Sequence, residues 1–176
     1  MQIVYILQII TIIVSVVNIA MTMLVSIYTN RVQNIAKTIA NQRLKFLQEY
    51  REKSSELLTL CSPRLLCECH DFDTVRNIVL VSYELKNIFK GCYPEERRIL
   101  EQIDNVVECA FLYKDNMELE NELNHSILTL YNLINIYDLA YWRFIIDQTS
   151  GSKYKVDDFD SYYKEAEKRY KEIDNH

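Results

Sequence analysis

Four side chains able to hold a metal lie close together in this sequence: Cys61, Cys67, Cys69 and His70. Zinc takes four such ligands in a tetrahedron, and compact sites bring two of them in as a C-x2-C pair. The spacing here is C-x5-C-x-C-H, without that pair. In a reducing compartment, five unbridged cysteines serve as small buried hydrophobes, so no metal is expected. The histidines, His70, His125 and His176, stand in no constellation with a nucleophile. Carboxylates such as Glu118, Glu120 and Glu122 fit a solvated helix face. The only glycines are Gly91 and Gly151, and the only prolines Pro63 and Pro94. Phosphate loops, dinucleotide fingerprints and nucleophile elbows need several glycines at fixed spacing, so they cannot be written with these. The residues predict neither catalysis nor a cofactor.

A second set of polar side chains is spaced more tellingly: Gln8, Thr11, Ser15, Asn18, Thr22 and Ser26, all within an uncharged run from Ile3 to Tyr28. At about 100° per residue, the six fall within an arc of roughly 80°. The rest of the circumference is Ile, Val, Leu, Met and Ala, apart from Tyr5 at the level where aromatic belts form. Two kinds of chemistry fit. The stripe can be polar glue, hydrogen-bonding across a tight seam between copies. It can also line a water-filled axis with rings of amides and hydroxyls. A polar residue at nearly every turn favours the lining. No charged ring is present, so weak ion selectivity is expected.

The run of 26 residues rises roughly 39 Å as a helix, against a hydrocarbon core of about 30 Å. A cleaved signal peptide is the competing reading, but the run is too long for one and no basic segment precedes it. All 20 Lys and Arg and all 25 Asp and Glu lie at or after Arg31. Residues 31–54 hold six basic and two acidic side chains. The positive-inside rule then predicts a single-pass membrane protein, amino terminus outside and carboxyl-terminal part in the cytoplasm.

The scarcity of Gly and Pro argues against hairpins and predicts an all-α chain. Residues 1–30 are read as the transmembrane helix with a short outside tip, 31–62 as a juxtamembrane helix, and 63–176 as a cytoplasmic helical domain. With no Gly or Pro before Ser62, the membrane helix can continue unbroken into that domain. Its heptad frame runs on through Val25, Thr29, Val32, Ala36, Ile39, Arg43, Phe46, Tyr50, Leu57 and Leu60. Such a seam suits a parallel oligomer gripping as a coiled coil outside the lipid. For half of it, packing onto the chain's own domain fits equally.

Pro63 is read as ending the long helix, with Leu65 to Asp71 as a connector. A helix over Asp73 to Lys90 puts Val75, Ile78, Val79, Ser82, Leu85, Ile88 and Phe89 on one side and stops at Gly91. The next opens at Pro94 with Glu95 and Glu96 in its first turn. A fourth, Glu118 to Asp147, repeats apolar residues from Leu119 to Phe144 at spacings of three and four, and Gly151 ends that region. A last begins near Asp158. These stripes imply a helical bundle.

Residues 95–122 carry three basic and nine acidic side chains, in contrast to the basic segment before them. Arg43, Lys45, Arg64, Arg76, Arg97 and Arg98 are the candidates for holding an anionic ligand, because a ring of identical chains multiplies each charge. The simpler role of the basic exit is to set orientation and meet anionic headgroups. Thirteen tyrosines offer stacking surfaces for bases, although core packing and interfacial anchoring explain them more economically.

The layout of a short tip, one span, a basic exit reading Asn41, Gln42, Arg43, Leu44, Lys45, Phe46, Leu47, and a small helical domain resembles the membrane effectors of bacterial anti-phage defence, closest to the Hailong type. That resemblance implies an oligomeric channel held closed by a DNA oligomer from a partner nucleotidyltransferase, whose opening depolarises the infected cell. It implies a stripe lining the pore and a cytoplasmic domain holding the ligand. The contrasting class is a membrane-anchored interaction or scaffold module without pore activity. Enclosing water with one thin helix per chain takes about four copies, so a tetramer is the smallest assembly expected.

Overall fold

A run of sixty-two residues free of Gly and Pro gives the backbone nothing to break on, and the computed structural model has one helix, α1, from Gln2 to Leu60. The structure describes residues 2–68, 72–89, 91, 93–149 and 159–174. Cys69, His70, Asp71, Lys90, Asp158 and Gly151 lie outside them. After α1 come α2 (Pro63–Glu68), α3 (Phe72–Ile88), α4 (Pro94–Asp115), a 3-10 turn (Met117–Leu119), α5 (Glu120–Thr149) and α6 (Phe159–Asp174). No strand occurs among the described residues. The chain divides into two units, Met1–Asn41 and Gln42–His176.

The first unit is one helix whose described side chains are all exposed from Tyr5 to Asn34. Ile12, Leu24 and Ile27 are each more than 60% exposed. The chain thus contains a helix long and apolar enough to cross a membrane, with none of its apolar window buried. Water is a poor solvent for so much apolar surface; lipid is a good one.

The second unit is built around aromatic rings. Tyr50 of α1, Phe89 after α3 and Tyr137 of α5 meet edge to face with centroids 5.5–5.8 Å apart. Phe159 of α6 continues the cluster against Tyr137 at 5.4 Å and Phe144 at 5.7 Å. Each pair adds roughly 1 kcal/mol to the burial of its area. Tyr50 is fully buried and donates its hydroxyl to the Ile134 carbonyl of α5, while Tyr137 donates to Glu96 at 3.0 Å. Burial is the main reason both phenols are held well above their ordinary pKa. These rings form the core, which is the economical role of tyrosine.

Phe46, Tyr50 and Leu57 therefore spend their apolar surface inside their own bundle, Phe46 against Tyr141 at 5.0 Å. A heptad frame alone leaves open which surface meets it. Val25, Val32 and Ile39 remain exposed.

Local signals set the other helices. Pro63 starts α2 rather than merely ending α1, because its missing N–H is no loss at the first helical position. The connector read from Leu65 onward is thus helical as far as Glu68. Pro94 opens α4 in the same way, after an extended Tyr93. Gly91 takes φ 65°, a left-handed turn that a side chain would strain, and its carbonyl accepts from Arg97 Nε at 3.0 Å. At the far end of α4, the Asn116 side chain accepts from the Glu118 N–H at 3.1 Å and starts the turn into α5. Of the face predicted for α3, Ile78, Ser82, Leu85 and Phe89 are buried, Thr74 and Val81 join them, and Val79 is exposed. Its flanks are fixed by ion pairs, Lys53 of α1 to Glu84 at 2.7 Å and Lys86 to Asp104 of α4. On the other side of the bundle, α6 joins α5 through Tyr162 to Asp147 at 2.7 Å and Tyr170 to Asn132 at 2.9 Å.

Candidate functional site

Because residues 2–60 form one α-helix, Gln8, Thr11, Ser15, Asn18, Thr22 and Ser26 share a face. Ser15 Oγ donates to the Thr11 carbonyl at 2.8 Å and Thr22 Oγ1 to the Asn18 carbonyl at 2.7 Å. These hydroxyl protons are satisfied within their own helix, and such groups enter lipid at a much reduced cost. The longer amides behave differently. Among the described residues neither the Gln8 nor the Asn18 side chain makes a hydrogen bond, so each brings two N–H donors and a carbonyl that hydrocarbon cannot satisfy. The demand for a partner or for water is concentrated at two levels, ten residues or about 15 Å apart along the axis.

The six candidate anion-binding cations do not converge. Arg43 lies over the Phe144 ring, 4.7 Å from its centroid, and Arg97 and Arg98 belong to the first turns of α4, next to Tyr93, which packs on Phe159. These three belong to the aromatic end of the bundle. Arg64 is on α2, whose Cys67 touches Tyr113, about 24 Å along α4 from Arg97. Arg76 is about 20 Å along α3 from Phe89. Lys45 pairs with Glu49 at 3.5 Å and Arg64 with Glu68 at 3.3 Å, both on exposed surface. Arg43, Arg97 and Arg98 are the subset that shares a neighbourhood.

A groove of about 800 Å³ runs between the second half of α1 and α5. Its walls include Ser55, Leu58 and Thr59 from α1 and Leu128, Tyr131 and Asn135 from α5. Arg51 and Asp138 close one end as a bidentate pair, both contacts 2.7 Å. That hydrogen bond raises the Arg51 pKa above its ordinary value. The pair cancels the only formal charges in the lining. Ser54 borders the floor, buried, with no hydrogen-bond partner for its hydroxyl. Sequence periodicity passed over this groove because α5 carries two apolar stripes. The exposed one, Leu128, Tyr131, Trp142 and Ile146, is legible only once the buried one is assigned.

No protein-family model, curated protein or solved structure matches the chain. Its function has to be argued from its own residues.

Among the described residues no group of three His, Cys, Asp or Glu is placed to hold a metal. Cys61 is buried in the core, and burial pushes its thiol up to about 12, which disfavours the thiolate that zinc requires. Cys67 is exposed, and its sulfur lies 3.1 Å from the Tyr113 hydroxyl, a contact that lifts that phenol to about 12. His125 is exposed on a shallow wall of α5 near Cys109.

Proposed function

We propose that this chain is a non-enzymatic, single-pass membrane protein whose copies associate through α1 and enclose a pore lined by Gln8, Thr11, Ser15, Asn18, Thr22 and Ser26. The carrying observation is the contrast within one exposed, uncharged helix: apolar on most of its circumference, with the unpartnered amides of Gln8 and Asn18 on the remaining face. Lipid cannot satisfy those amides; a ring of copies facing water can. The basic segment after Tyr28 supports an orientation with the bundle in the cytoplasm and the amino terminus outside.

The layout shared with Hailong-type effectors extends the proposal to a defence channel of the bacterial inner membrane, gated from the cytoplasm by a DNA oligomer. Arg43, Arg97 and Arg98 are then the cations placed to meet its phosphates. Purified protein in vesicles tests both parts. Dye or ion release should require Asn18 and Gln8, and short single-stranded DNA on the bundle side should suppress it. Release unchanged in a Gln8→Leu, Asn18→Leu double variant would remove the lining.

A second reading has its own observation. The back-bonded hydroxyls of Ser15 and Thr22 need no water, so a dry seam held by Gln8 and Asn18 alone would also be stable. The chain would then be an anchored interaction module, oligomeric and impermeable.

A further inference from the structure

Two series of residues seven apart run along one side of α1. Gln8, Ser15, Thr22, Thr29 and Ala36 form one; Thr11, Asn18, Val25, Val32 and Ile39 form the other. Successive members of a series are about 10 Å apart along the axis, and two series offset by three and four residues make one seam in a parallel assembly. The first series stays polar or small. The second changes from Thr and Asn to β-branched hydrocarbon at Val25 and does not change back within the first unit, Met1–Asn41.

Nothing in the chain covers these apolar side chains. Val25, Val32 and Ile39 are 60%, 48% and 40% exposed. Lipid covers only the first of them. Val32 and Ile39 lie about 6 and 17 Å beyond Tyr28, past the end of the uncharged run. Around them Asn30, Asn34, Lys37 and Thr38 are exposed and suit water. Val32 and Ile39 instead recur on the side that already bears Thr11 and Asn18, and the seam between copies is where such side chains leave water.

We propose that Val25, Val32 and Ile39 surround the axis as an apolar collar that gates the pore by excluding water. The inference rests on the pore proposed above and adds where that pore closes. An ion level with Gln8 and Asn18 has amides beside it. From Val25 to Ile39, about 21 Å, one series offers it nothing and the other only the Thr29 hydroxyl. Water in a narrow apolar passage gives up hydrogen bonds without replacement, so it withdraws, and an ion cannot cross without its shell. Parting the helices widens the collar and lets water return. The stripe supplies the path, and the collar sets when it conducts.

The test is ion flux into vesicles carrying the full-length chain. Val32→Asn with Ile39→Asn puts amides where the collar is dry and should raise flux about tenfold or more over the parent, a barrier change of only about 1.4 kcal/mol. Ala36→Leu adds apolar volume at the same level and should lower flux. Thr38→Asn lies on the outer side, where the Thr38 hydroxyl donates to the Asn34 carbonyl at 2.8 Å, and should match the parent. Misfolding cannot imitate the gain, and a general leak would appear with Thr38→Asn as well. Flux that neither collar change moves, or that Thr38→Asn raises as much, would overturn the collar and leave the stripe as a lining. No flux from the parent or from any variant would overturn the pore and the collar together.

Discussion

Arg51 holds Asp138 with two parallel contacts, Nε to Oδ1 and Nη2 to Oδ2, each 2.7 Å, across 87 residues of sequence. The pair pins the second half of α1 to α5 by a directional bond, beside the packing of the Tyr50 ring. Asp138→Asn keeps the shape and removes the charge. The expected loss is about 1 kcal/mol, because Arg51 is half exposed and solvent screens the pair. Thermal melting followed by circular dichroism should fall by a few degrees; a larger collapse would mean the pair is more buried than its geometry indicates.

Tyr50 and Tyr137 separate two kinds of buried hydrogen bond. Tyr50→Phe removes a donor to the Ile134 carbonyl, for about 1 kcal/mol, whereas Tyr137→Phe withdraws a donor from the buried Glu96 carboxylate, for about 2 kcal/mol. Denaturant midpoints should rank the variants in that order. The reverse ranking would contradict the roles given to the two hydroxyls.

Alkaline conditions should unfold the bundle, and Cys61 shows why. Its folded thiol pKa of about 12 exceeds the ordinary value of 9.0, so the folded state keeps a proton that the unfolded chain releases. Stability from this group is fully present below pH 9 and is lost as pH rises toward 12. The raised phenols of Tyr50 and Tyr137 act in the same direction above pH 10. Cys61→Ala should flatten the fall in melting temperature between pH 9 and 11; an unchanged slope would place the thiol in contact with solvent.

Thiol labelling follows the same geography. Iodoacetamide applied to the folded protein should modify exposed Cys67 and spare buried Cys61, as peptide mass spectrometry would show. Modification of Cys61 at a comparable rate would mean that the α1 end of the core opens readily.

Much of this architecture was legible in the sequence. The absence of Gly and Pro before Ser62 foretold the length of α1, and Pro94 with Glu95 and Glu96 foretold where α4 begins. The phase of α3 was harder, because Val79, Leu80 and Val81 are consecutive and any of them could face inward. Burial of Ile78 and Leu85 on the same side decides for Val81, and that burial depends on segments distant in sequence. The frame through Phe46, Tyr50 and Leu57 reads the same whether it meets another copy or its own α5. Only the position of Tyr137 and Tyr141 distinguishes the two. The cations illustrate the same loss of information: Arg76 and Arg97 are 21 residues apart yet belong to opposite ends of the bundle, because α3 and α4 run back and forth.

Ion flux into vesicles carrying the purified chain tests the proposed pore, and the role of the Gln8 and Asn18 amides in it, most directly. Ser15→Ala and Thr22→Ala should conduct like the parent, since those hydroxyls are occupied by their own helix, whereas Gln8→Leu with Asn18→Leu should abolish flux while the protein still inserts. Flux that survives the loss of both amides, or a parent protein that passes no ions with or without DNA oligomers, would contradict a pore on this face.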